Sequence, residues 1–408
     1  MGEILFLAHR VPFPPNRGDK IRAHHLLKRL ARIAPVHVGC LAESDEDRRA
    51  ITQLQELAAS YCAPNRTKPL ALAGVEAVLS GKPVSLTAFH NPKLAQWVKS
   101  TVVERNISTV VIFSGQMGQY VSEDFGGRLL VDLCDVDSAK FENYAAAGQR
   151  VWINAREARL LARDEGRLAN RADATILISE AEANLFESRL SVGHSANIHV
   201  IGNGIDAGLF DPDIVTALAE ITQRPGPHFV FTGQMDYQPN EAAALWVIRQ
   251  LLPAFRKAHA GAEFHVVGRN PTSALLGYNS HPGVTIWGEV PDVRPFLKAA
   301  DAVLAPLSIA RGVQNKVLEA MAMSQPVVLT PEAATGIAAL DGQDWLLSPR
   351  DVTSFCERMD MLIGESSHAA EIGRAGRRFV LDHHDWDAML APLERLITFP
   401  NAEKRDAA

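Results

Sequence analysis

The segment from Arg311 to Val328 carries the most specific chemical pattern of the sequence, because a loop, an amphipathic helix and an apolar strand follow one another there. Lys316 and Glu319 are three residues apart near the predicted helix start, on a different face from the apolar residues. A lysine there can neutralise a diphosphate, and a carboxylate one turn later can accept hydrogen bonds from ribose hydroxyls. The pair indicates a nucleotide-diphosphate site, although for the pair alone a surface salt bridge is the simpler interpretation.

Two glycine turns in the same half of the chain could also meet a phosphate. Gly233 directly follows the apolar run Phe229–Thr232, and Asn240 stands where a helix N-cap is expected. A strand, a glycine turn and a capped helix present backbone N–H groups and a positive dipole end to an anion, but a plain tight turn has the same sequence pattern. Gly268 ends another predicted strand and is of interest because Arg269 beside it is a possible charge partner.

A third loop follows the first predicted strand. It runs from His9 to Asp19, is stiffened by prolines and ends near Gly18, where backbone can approach a ligand at the start of the next helix. We predict that Asn16, Arg17 and Gly18 face the diphosphate or an acceptor. Besides its apolar face, the next helix has a basic stripe formed by Arg22, Arg29 and Arg32. This stripe fits either contact with anionic lipid or a plain solvated face.

Composition restricts the class of protein. The chain has 408 residues, 47% hydrophobic and 22% charged, which is typical of a globular protein of two or three domains. A net charge of −6 is unlike a whole-surface nucleic-acid binder, so any positive charge that binds phosphate must be local. The four widely separated cysteines fit a reducing cytoplasm, the N-terminal run is unlike a signal peptide, and no apolar stretch approaches the roughly 20 residues of a membrane span.

The elements that must position these residues alternate between short apolar strands and longer segments with helical periodicity, which predicts parallel α/β layers. We predict two doubly wound Rossmann-like domains whose strand ends line a central cleft, because ligands of open α/β sheets bind at strand carboxyl ends. Gly and Pro residues between 203 and 227 predict the boundary. The predicted strands are Ile4–Ala8, Val36–Leu41, Thr109–Phe113, Leu129–Leu133, Ala174–Ser179 and Ile198–Ile201, then Phe229–Thr232, Glu263–Val267, Val284–Trp287, Ala302–Ala305 and Val327–Thr330.

Several motifs together resemble the glycosyltransferases of family 4, which have the two-domain GT-B fold. These motifs are the Pro-rich loop before Gly18, Ile201–Asp206, the loop from Gly233, Gly288–Val293 and Lys316–Val328. A closer similarity, to the sugar transferases associated with PEP-CTERM/exosortase exopolysaccharide systems, rests on Val131–Ser138, Thr232–Tyr237 and Arg311–Glu319.

The resemblance implies transfer of a sugar from a nucleotide-sugar donor, with retention at the anomeric carbon and with no cofactor or obligatory metal. It assigns residues 1–205 to an acceptor-side domain, residues 206–377 to a donor-binding domain, and residues from about 378 to 400 to a helix that crosses back. Family members often carry two glutamates separated by seven residues. Glu319 matches the ribose-binding one, but Arg311 stands at the sugar-side position, and Ser114–Gln116 stand where many relatives have a histidine.

Within this frame we predict that Lys316, assisted by Arg269 and by backbone N–H groups near Gly233 and Gly312, stabilises charge on the leaving nucleoside diphosphate. The predicted donor contacts are Gly233, Gln234, Asp236, Asn240, Gly312, Asn315, Lys316 and Glu319. No metal site is predicted, since Asp132, Asp135 and Asp137 follow a strand, where Asp is a common turn residue.

The acceptor implied by the family and by the basic stripe is a glycan on a polyprenyl-diphosphate lipid, met at the cytoplasmic face of the membrane through Arg22, Arg29 and Arg32. Two alternatives stay open. One is a non-catalytic nucleotide-sugar sensor or scaffold, which Arg311 and the absent histidine allow. The other is a sugar-nucleotide 2-epimerase of similar fold, which needs acid/base carboxylates and a histidine.

Overall fold

A computed structural model describes residues 2–190, 196–310 and 312–398. The chain divides into two compact units. Unit 1 comprises the residues up to 203 together with those from 389 onward, and unit 2 comprises residues 204–388. Each unit has its own parallel β-sheet flanked by helices, which confirms the predicted α/β fold with two Rossmann-like domains.

The strands of unit 1 are β1 (Glu3–Ala8), β2 (Val36–Gly39), β3 (Ser60–Cys62), β4 (Ile107–Phe113), β5 (Arg128–Cys134), β6 (Ala174–Leu177) and β7 (Ile198–Val200). They pair in parallel in the order β3-β2-β1-β4-β5-β6-β7. The direction of winding reverses between β1 and β4, so the loops that follow these two strands flank a topological switch point.

The helices of unit 1 cover the sheet and carry its loops. They are α1 (Gly18–Ile33), α2 (Asp45–Ala50), α3 (Leu70–Ser80), α4 (Val84–Ala88), α5 (Pro92–Glu104), α6 (Asp137–Ala146), α7 (Val151–Arg171) and α8 (Glu180–Arg189), with 3-10 turns at Ile51–Glu56 and Gly115–Tyr120. The strands are continuous apolar runs because helices cover both faces of a parallel sheet. Ile4, Leu5 and Phe6 of β1, for example, are each at most 1% exposed.

The strands of unit 2 are β8 (His228–Thr232), β9 (Glu263–Val267), β10 (Val284–Gly288), β11 (Ala302–Ala305), β12 (Val327–Leu329) and β13 (Leu346–Leu347). They pair in parallel in the order β10-β9-β8-β11-β12-β13, which is the Rossmann order. The switch point lies between β8 and β11.

The helices of unit 2 are α9 (Ala219–Thr222), α10 (Gln238–Trp246), α11 (Leu252–Phe255), α12 (Ser273–Leu276), α13 (Arg294–Lys298), α14 (Asn315–Ala322), α15 (Val352–Gly364), α16 (Ser366–His383) and α17 (Trp386–Met389), with a π turn at Val247–Leu251. The chain then returns to unit 1 with α18 (Ala391–Thr398). None of the helices within the described ranges is long and apolar enough to cross a membrane.

The structure departs from the sequence prediction at a few places. The prediction misses β3 and β13, which have only three and two residues. The units divide after residue 203 rather than 205, and residues 378–388 stay in unit 2 instead of crossing back. The reason is a backbone link, since Ile205 N donates to His384 O at 2.7 Å and Trp386 N donates to Ile205 O at 3.3 Å.

Candidate functional site

A cavity of about 610 Å³ opens at the switch point of unit 2. Its walls come from the loop after β8, the loop after β9, the loop after β10 and the start of α14, so three strand ends and one helix end meet there. The lining residues are Thr232, Gly233, Gln234, Asn240, Val267, Gly268, Arg269, Glu289, Val290, Val293, Val313, Asn315, Lys316 and Glu319.

Lys316 is the cation of this cavity. Its Nζ donates to Asn240 Oδ1 at 2.5 Å and lies 4.6 Å from the ring centroid of the buried Phe231. Burial lowers the pKa of Lys316 to about 8, and the nearby Glu319 opposes that shift. An amide oxygen and an aromatic face position the ammonium without neutralising its charge, so it remains available to an anion.

Glu319 lies one turn further along α14 and lines the same cavity. Burial raises its pKa above the ordinary value, while Lys316 acts in the opposite direction. In the part of the chain that the structure describes, the two side chains form no ion pair within 4.0 Å. Lys316 and Glu319 therefore do not form the surface salt bridge that was the simpler interpretation, and both side chains line the cavity.

Two glycines let the loops after β8 and β9 approach each other. Gly268 has φ +149° and a Cβ there would lie 1.6 Å from Gly233 O, while Gly233 has φ +153° and a Cβ there would lie 2.9 Å from Lys316 Nζ. Both positions therefore require glycine. The sequence predicts that backbone N–H groups near Gly233 meet phosphate. Gly233 N, however, donates to Val267 O at 3.1 Å, so this N–H group is already engaged.

Asn240 has a different structural role from the one predicted. Helix α10 begins at Gln238 with Tyr237 as its N-cap residue, so Asn240 lies within the first turn and is not the cap. It is 6% exposed, and its side chain bridges the site by donating to Gln234 O at 2.9 Å and accepting from Lys316. Asn240 thus positions the lysine.

The other predicted donor contacts divide into two groups. Asn315 and Gln234 line the cavity, and Gln234 Oε1 accepts from the exposed Arg269 at 2.8 Å. Asp236 and Gly312 are not part of the lining, and Asp236 accepts instead from Asn270 Nδ2 at 3.1 Å. Arg311, the residue at the sugar-side glutamate position, lies outside the described residues.

Three residues that were not predicted as site residues, Glu289, Val290 and Val293, also line the cavity. They follow β10, so a search for polar residues and valines after each predicted strand would have found them. With Val267 and Val313 they give the cavity an apolar wall beside its charged residues.

Unit 1 contains a larger cavity of about 1020 Å³ at the ends of β1, β4 and β5. Of the three residues predicted to face a diphosphate or an acceptor, Arg17 and Gly18 line it, whereas Asn16 does not and donates to Glu46 at 3.0 Å. Further walls come from α3, α4, α6 and α7, with aliphatic and aromatic side chains beside charged ones. This cavity has the mixed lining of a ligand site.

His9 is the functional candidate that the sequence analysis missed. It lines the unit 1 cavity, and its Nε2 lies 3.1 Å from Asp19 Oδ2 and 2.9 Å from Arg10 Nη1. Burial alone would raise the pKa of Asp19, but hydrogen bonds from His9 and Arg10 hold it well below its ordinary value. Within the described ranges His9 Nδ1 is buried without a hydrogen-bond partner.

Besides Asp19, the cavity is lined by Asp135, Asp137 and Glu157, and the last two differ in their contacts. Glu157 accepts from Val84 N at 2.7 Å and Ser85 N at 2.8 Å, so it is engaged at the start of α4. Asp137 is half-buried, and burial raises its pKa, opposed by Lys140 and His9. Asp137 is therefore the better candidate for proton transfer.

Strained backbone also concentrates at this cavity. Ser114, Cys134 and Arg150 have φ values of +76°, +67° and +39°, and all three line it. Non-glycine residues with positive φ cost energy and cluster at functional sites. The strain supports the assignment of this cavity as a second ligand site.

The basic stripe predicted on α1 is not a continuous surface, because of Arg22, Arg29 and Arg32 only Arg32 is exposed. Arg22 is 1% exposed and pairs with the fully buried Asp132, with Nη2 and Oδ2 2.8 Å apart. Arg29 pairs with Glu394 of α18 at 2.8 Å. The prediction was wrong for Arg22, because an arginine of an amphipathic helix can turn inward to pair with a buried carboxylate.

One group of potential metal ligands occurs in the described residues. It is formed by His228, Glu263 and His265, in the N-terminal parts of β8 and β9, away from the strand ends that line the cavity. Trp287 Nε1 donates to His265 Nδ1 at 3.3 Å, and His228 Nε2 lies 3.2 Å from Arg224 O. Ligating histidines direct their second nitrogen at an acceptor, but His265 directs it at a donor. The contacts of His265 therefore do not fit a metal centre.

The fold defines a class of protein. Solved structures with the GT-B glycosyltransferase fold match nearly the whole chain. Sucrose-phosphate synthase from Thermosynechococcus elongatus has a TM-score of 0.60 and 16% identity, covering 97% of this chain and 98% of that one. The Anabaena protein HepE in complex with UDP-glucose has a TM-score of 0.56 and 17% identity, covering 96% of this chain and 98% of that one. The chain therefore has the GT-B fold.

Two sequence comparisons also find similarity to glycosyltransferases. Residues 226–365, which contain the unit 2 cavity, match the family model described as glycosyl transferases group 1. The chain is 25% identical over 200 residues to the putative glycosyltransferase EpsD of Bacillus subtilis (strain 168). That match covers 46% of this chain and spans about half of the relative, at 51% of its length.

Proposed function

We propose that the protein is a glycosyltransferase that moves a sugar from a nucleotide-sugar donor to a lipid-linked glycan in exopolysaccharide biosynthesis. The observation that carries the proposal is the cavity of unit 2, where Lys316 and Glu319 meet the glycine loops after β8 and β9. The cavity lies within the segment that matches the group 1 glycosyl transferases.

The donor fits the cavity by chemistry. Lys316 and Arg269 supply positive charge for a diphosphate, and Glu319 supplies acceptor oxygens for ribose hydroxyls. The valine wall suits the flat face of a base. HepE, which shares the fold, is described in complex with UDP-glucose, and this favours a uridine diphosphate sugar as the first donor to examine.

In the proposed reaction, the bond between the anomeric carbon and the diphosphate oxygen breaks, and a bond to the oxygen of an acceptor hydroxyl forms. The proton of that hydroxyl passes to the leaving diphosphate. Negative charge grows on the leaving diphosphate, and the positioned ammonium of Lys316 stabilises it, which is electrostatic catalysis. The lysine does not need to give up its proton. We propose retention at the anomeric carbon and independence from metal ions on the family resemblance.

We propose that the acceptor binds in the cavity of unit 1. The aliphatic residues and the cations Arg17 and Arg150 suit a glycan that carries a diphosphate and a lipid. The likeness to EpsD favours glycosyl transfer. The motif similarity stated above favours an exopolysaccharide pathway of the PEP-CTERM/exosortase type at the cytoplasmic face of the membrane.

The proposal is tested by a donor screen. Purified protein is incubated with UDP-, GDP-, dTDP- and ADP-sugars and with polyprenyl-diphosphate-sugar acceptors, with and without EDTA. Nucleoside diphosphate release and glycolipid mass are read together, and the anomeric configuration of the product is read by NMR. We expect release coupled to the addition of one sugar, with the donor's anomeric configuration retained and with equal rates in EDTA.

The other outcomes separate the alternatives. Binding of a nucleotide sugar without turnover on any acceptor would favour a sensor or scaffold. Conversion of the donor to its 2-epimer, seen in the nucleotide-sugar fraction, would favour an epimerase. An inverted product would contradict retention, and loss of activity in EDTA would contradict metal independence.

The pKa of Lys316 predicts a pH profile for the donor. Only the protonated lysine neutralises diphosphate, and its pKa is lowered to about 8 by burial in the free protein. We expect kcat/KM for the donor to be level at pH 7 and to fall about tenfold per pH unit well above pH 8. The kcat profile should break at higher pH, because a bound diphosphate holds the proton. A kcat/KM profile that stays level to pH 10 contradicts the assignment.

A further inference from the structure

Helix α3 presents its apolar side chains to solvent. Of its eleven residues only the small Ala73 and Ala77 are buried. The large side chains point outward, with exposures of 66% for Leu70, 56% for Leu72, 58% for Val75, 57% for Val78 and 83% for Leu79. An ordinary surface helix buries such residues, so this reversed amphipathicity marks an interaction surface.

The start of α7 continues the same surface. Val151, Trp152 and Ile153 are 55%, 70% and 47% exposed. Arg156 joins the two helices, since its Nη2 donates to Ala77 O at 2.7 Å and to Lys82 O at 3.1 Å. We call the exposed apolar residues of α3 and of 151–153 the apolar rim.

The charges beside the apolar rim are mostly positive. Lys82 follows α3, while Arg150 and Arg159 flank the apolar start of α7, and all three are exposed. The one acidic residue of α3, Glu76, is paired with Lys68 at 2.7 Å. This local excess of positive charge contrasts with the net charge of −6 of the whole chain.

The apolar rim is continuous with the cavity of unit 1. Leu70, Ala71 and Gly74 of α3, and Arg150 and Ile153 at the start of α7, line that cavity. A ligand with a lipid tail that enters the cavity from this side would pass the apolar rim. A second copy of the chain is a poorer occupant, because it would bring the same basic groups face to face.

We infer that the apolar rim docks on an anionic lipid bilayer, with Trp152 at the interface and Lys82, Arg150 and Arg159 at the headgroups. Apolar insertion combined with basic flanks is the combination that holds a peripheral helix at an anionic membrane. The inference rests on the proposed function only for the reason why docking is useful, namely delivery of a lipid-linked acceptor.

Vesicle flotation tests the docking with the full chain. Vesicles contain phosphatidylcholine alone or phosphatidylcholine with 30 to 50% phosphatidylglycerol. We expect binding to the anionic vesicles that the triple variant Leu72→Ser/Val75→Ser/Leu79→Ser weakens at least tenfold. The matched control is Val103→Ser/Ile214→Ser/Leu276→Ser, which removes three equally exposed apolar residues elsewhere, at 79%, 68% and 50% exposure, and should bind like the unchanged protein.

Trp152 fluorescence gives a second readout. Its emission should shift to shorter wavelength and be quenched by brominated lipid when anionic vesicles are added, and Trp152→Phe should remove both changes. A structural role alone would not produce quenching by lipid. Circular dichroism and thermal melting of each variant confirm that the chain remains folded.

Several results would overturn the inference. Equal flotation of the triple variant and the control would do so, as would a vesicle-independent dimer in light scattering that the triple variant dissociates. Because no donor is present in these measurements, their failure is distinguishable from failure of the proposed function. Transfer to a short-chain, water-soluble acceptor should be unchanged in the triple variant.

Discussion

Replacing Lys316 with alanine is expected to lower kcat/KM for the donor by about 10²–10³-fold, the range observed when one preorganised group that stabilises transition-state charge is removed. The ammonium is held by Asn240 Oδ1 at 2.5 Å and lies 4.6 Å from the ring centroid of Phe231. No reorganisation is therefore needed as charge develops on the leaving diphosphate. Steady-state kinetics with the donor identified in the screen measure the effect.

The division between kcat and KM shows what the lysine does. If Lys316 acts mainly on the developing charge, kcat falls, whereas a loss confined to KM indicates uniform binding of donor and transition state. Lys257→Ala, which removes an exposed lysine of unit 2 outside the cavity, is the matched control and should leave both constants unchanged. Near wild-type turnover by Lys316→Ala would remove Lys316 from the mechanism.

The fold could be predicted from the sequence because parallel sheets have a strong signature. Strands buried on both faces are uninterrupted apolar runs, and the longer strands of both sheets were found this way. The edge strands β3 and β13 were not predicted, because two or three residues are too few to show a pattern of hydrophobicity. A backbone link such as Ile205 N to His384 O joins residues far apart in the chain, and no local pattern predicts it.

The donor cavity could be predicted in part for a similar reason. Loops after parallel strands converge, so Gly233, Arg269 and Lys316 were expected near one another, and the structure brings them to one cavity. The contacts within the cavity were not predictable. Asn240 has the residue type and place of an N-cap, but the N-cap residue of the helix is Tyr237, three residues earlier, and the side chain of Asn240 turns inward to Lys316.

The cavity of unit 1 was the least accessible to sequence reasoning. His9 lies in a loop whose prolines and glycine drew attention to backbone rather than to side chains, and its contact with Asp19 spans ten residues. The apolar rim was missed because apolar residues at helical spacing are normally read as core. The membrane surface was placed on α1 instead, whose basic residues suggested it.

Replacing Arg22 with methionine tests whether α1 faces lipid, as the sequence predicts, or whether Arg22 has the buried structural role that its contacts indicate. The guanidinium pairs with Asp132, donates to Ile201 O at 2.8 Å and to Asn203 Oδ1 at 3.0 Å, and so ties α1 to β5 and to the end of unit 1. Arg22→Met leaves Asp132, which is 0% exposed, without its counter-ion. Breaking one side of a buried pair costs about 3–5 kcal/mol, so we expect a much lower free energy of unfolding for unit 1.

The matched control is Arg29→Met, whose partner Glu394 is largely exposed and whose loss should cost at most about 1 kcal/mol. Denaturant unfolding followed by a probe in unit 1 measures both. Burial already raises the pKa of Asp132 with Arg22 present, and without Arg22 it must rise further. In this pH range the folded variant then binds a proton that its unfolded state does not bind. The loss of unfolding free energy of Arg22→Met relative to the unchanged protein should therefore become smaller as the pH is lowered from 7 towards 5.

A small stability change in Arg22→Met combined with weaker vesicle binding would restore the lipid-facing interpretation of α1. A large stability loss with vesicle binding intact in the folded fraction would leave the apolar rim as the membrane surface. The double variant Arg22→Met/Asp132→Leu should recover part of the lost stability, because it removes the unpaired buried charge. Recovery will be incomplete, since the carbonyl of Ile201 and the amide of Asn203 still lose their donor.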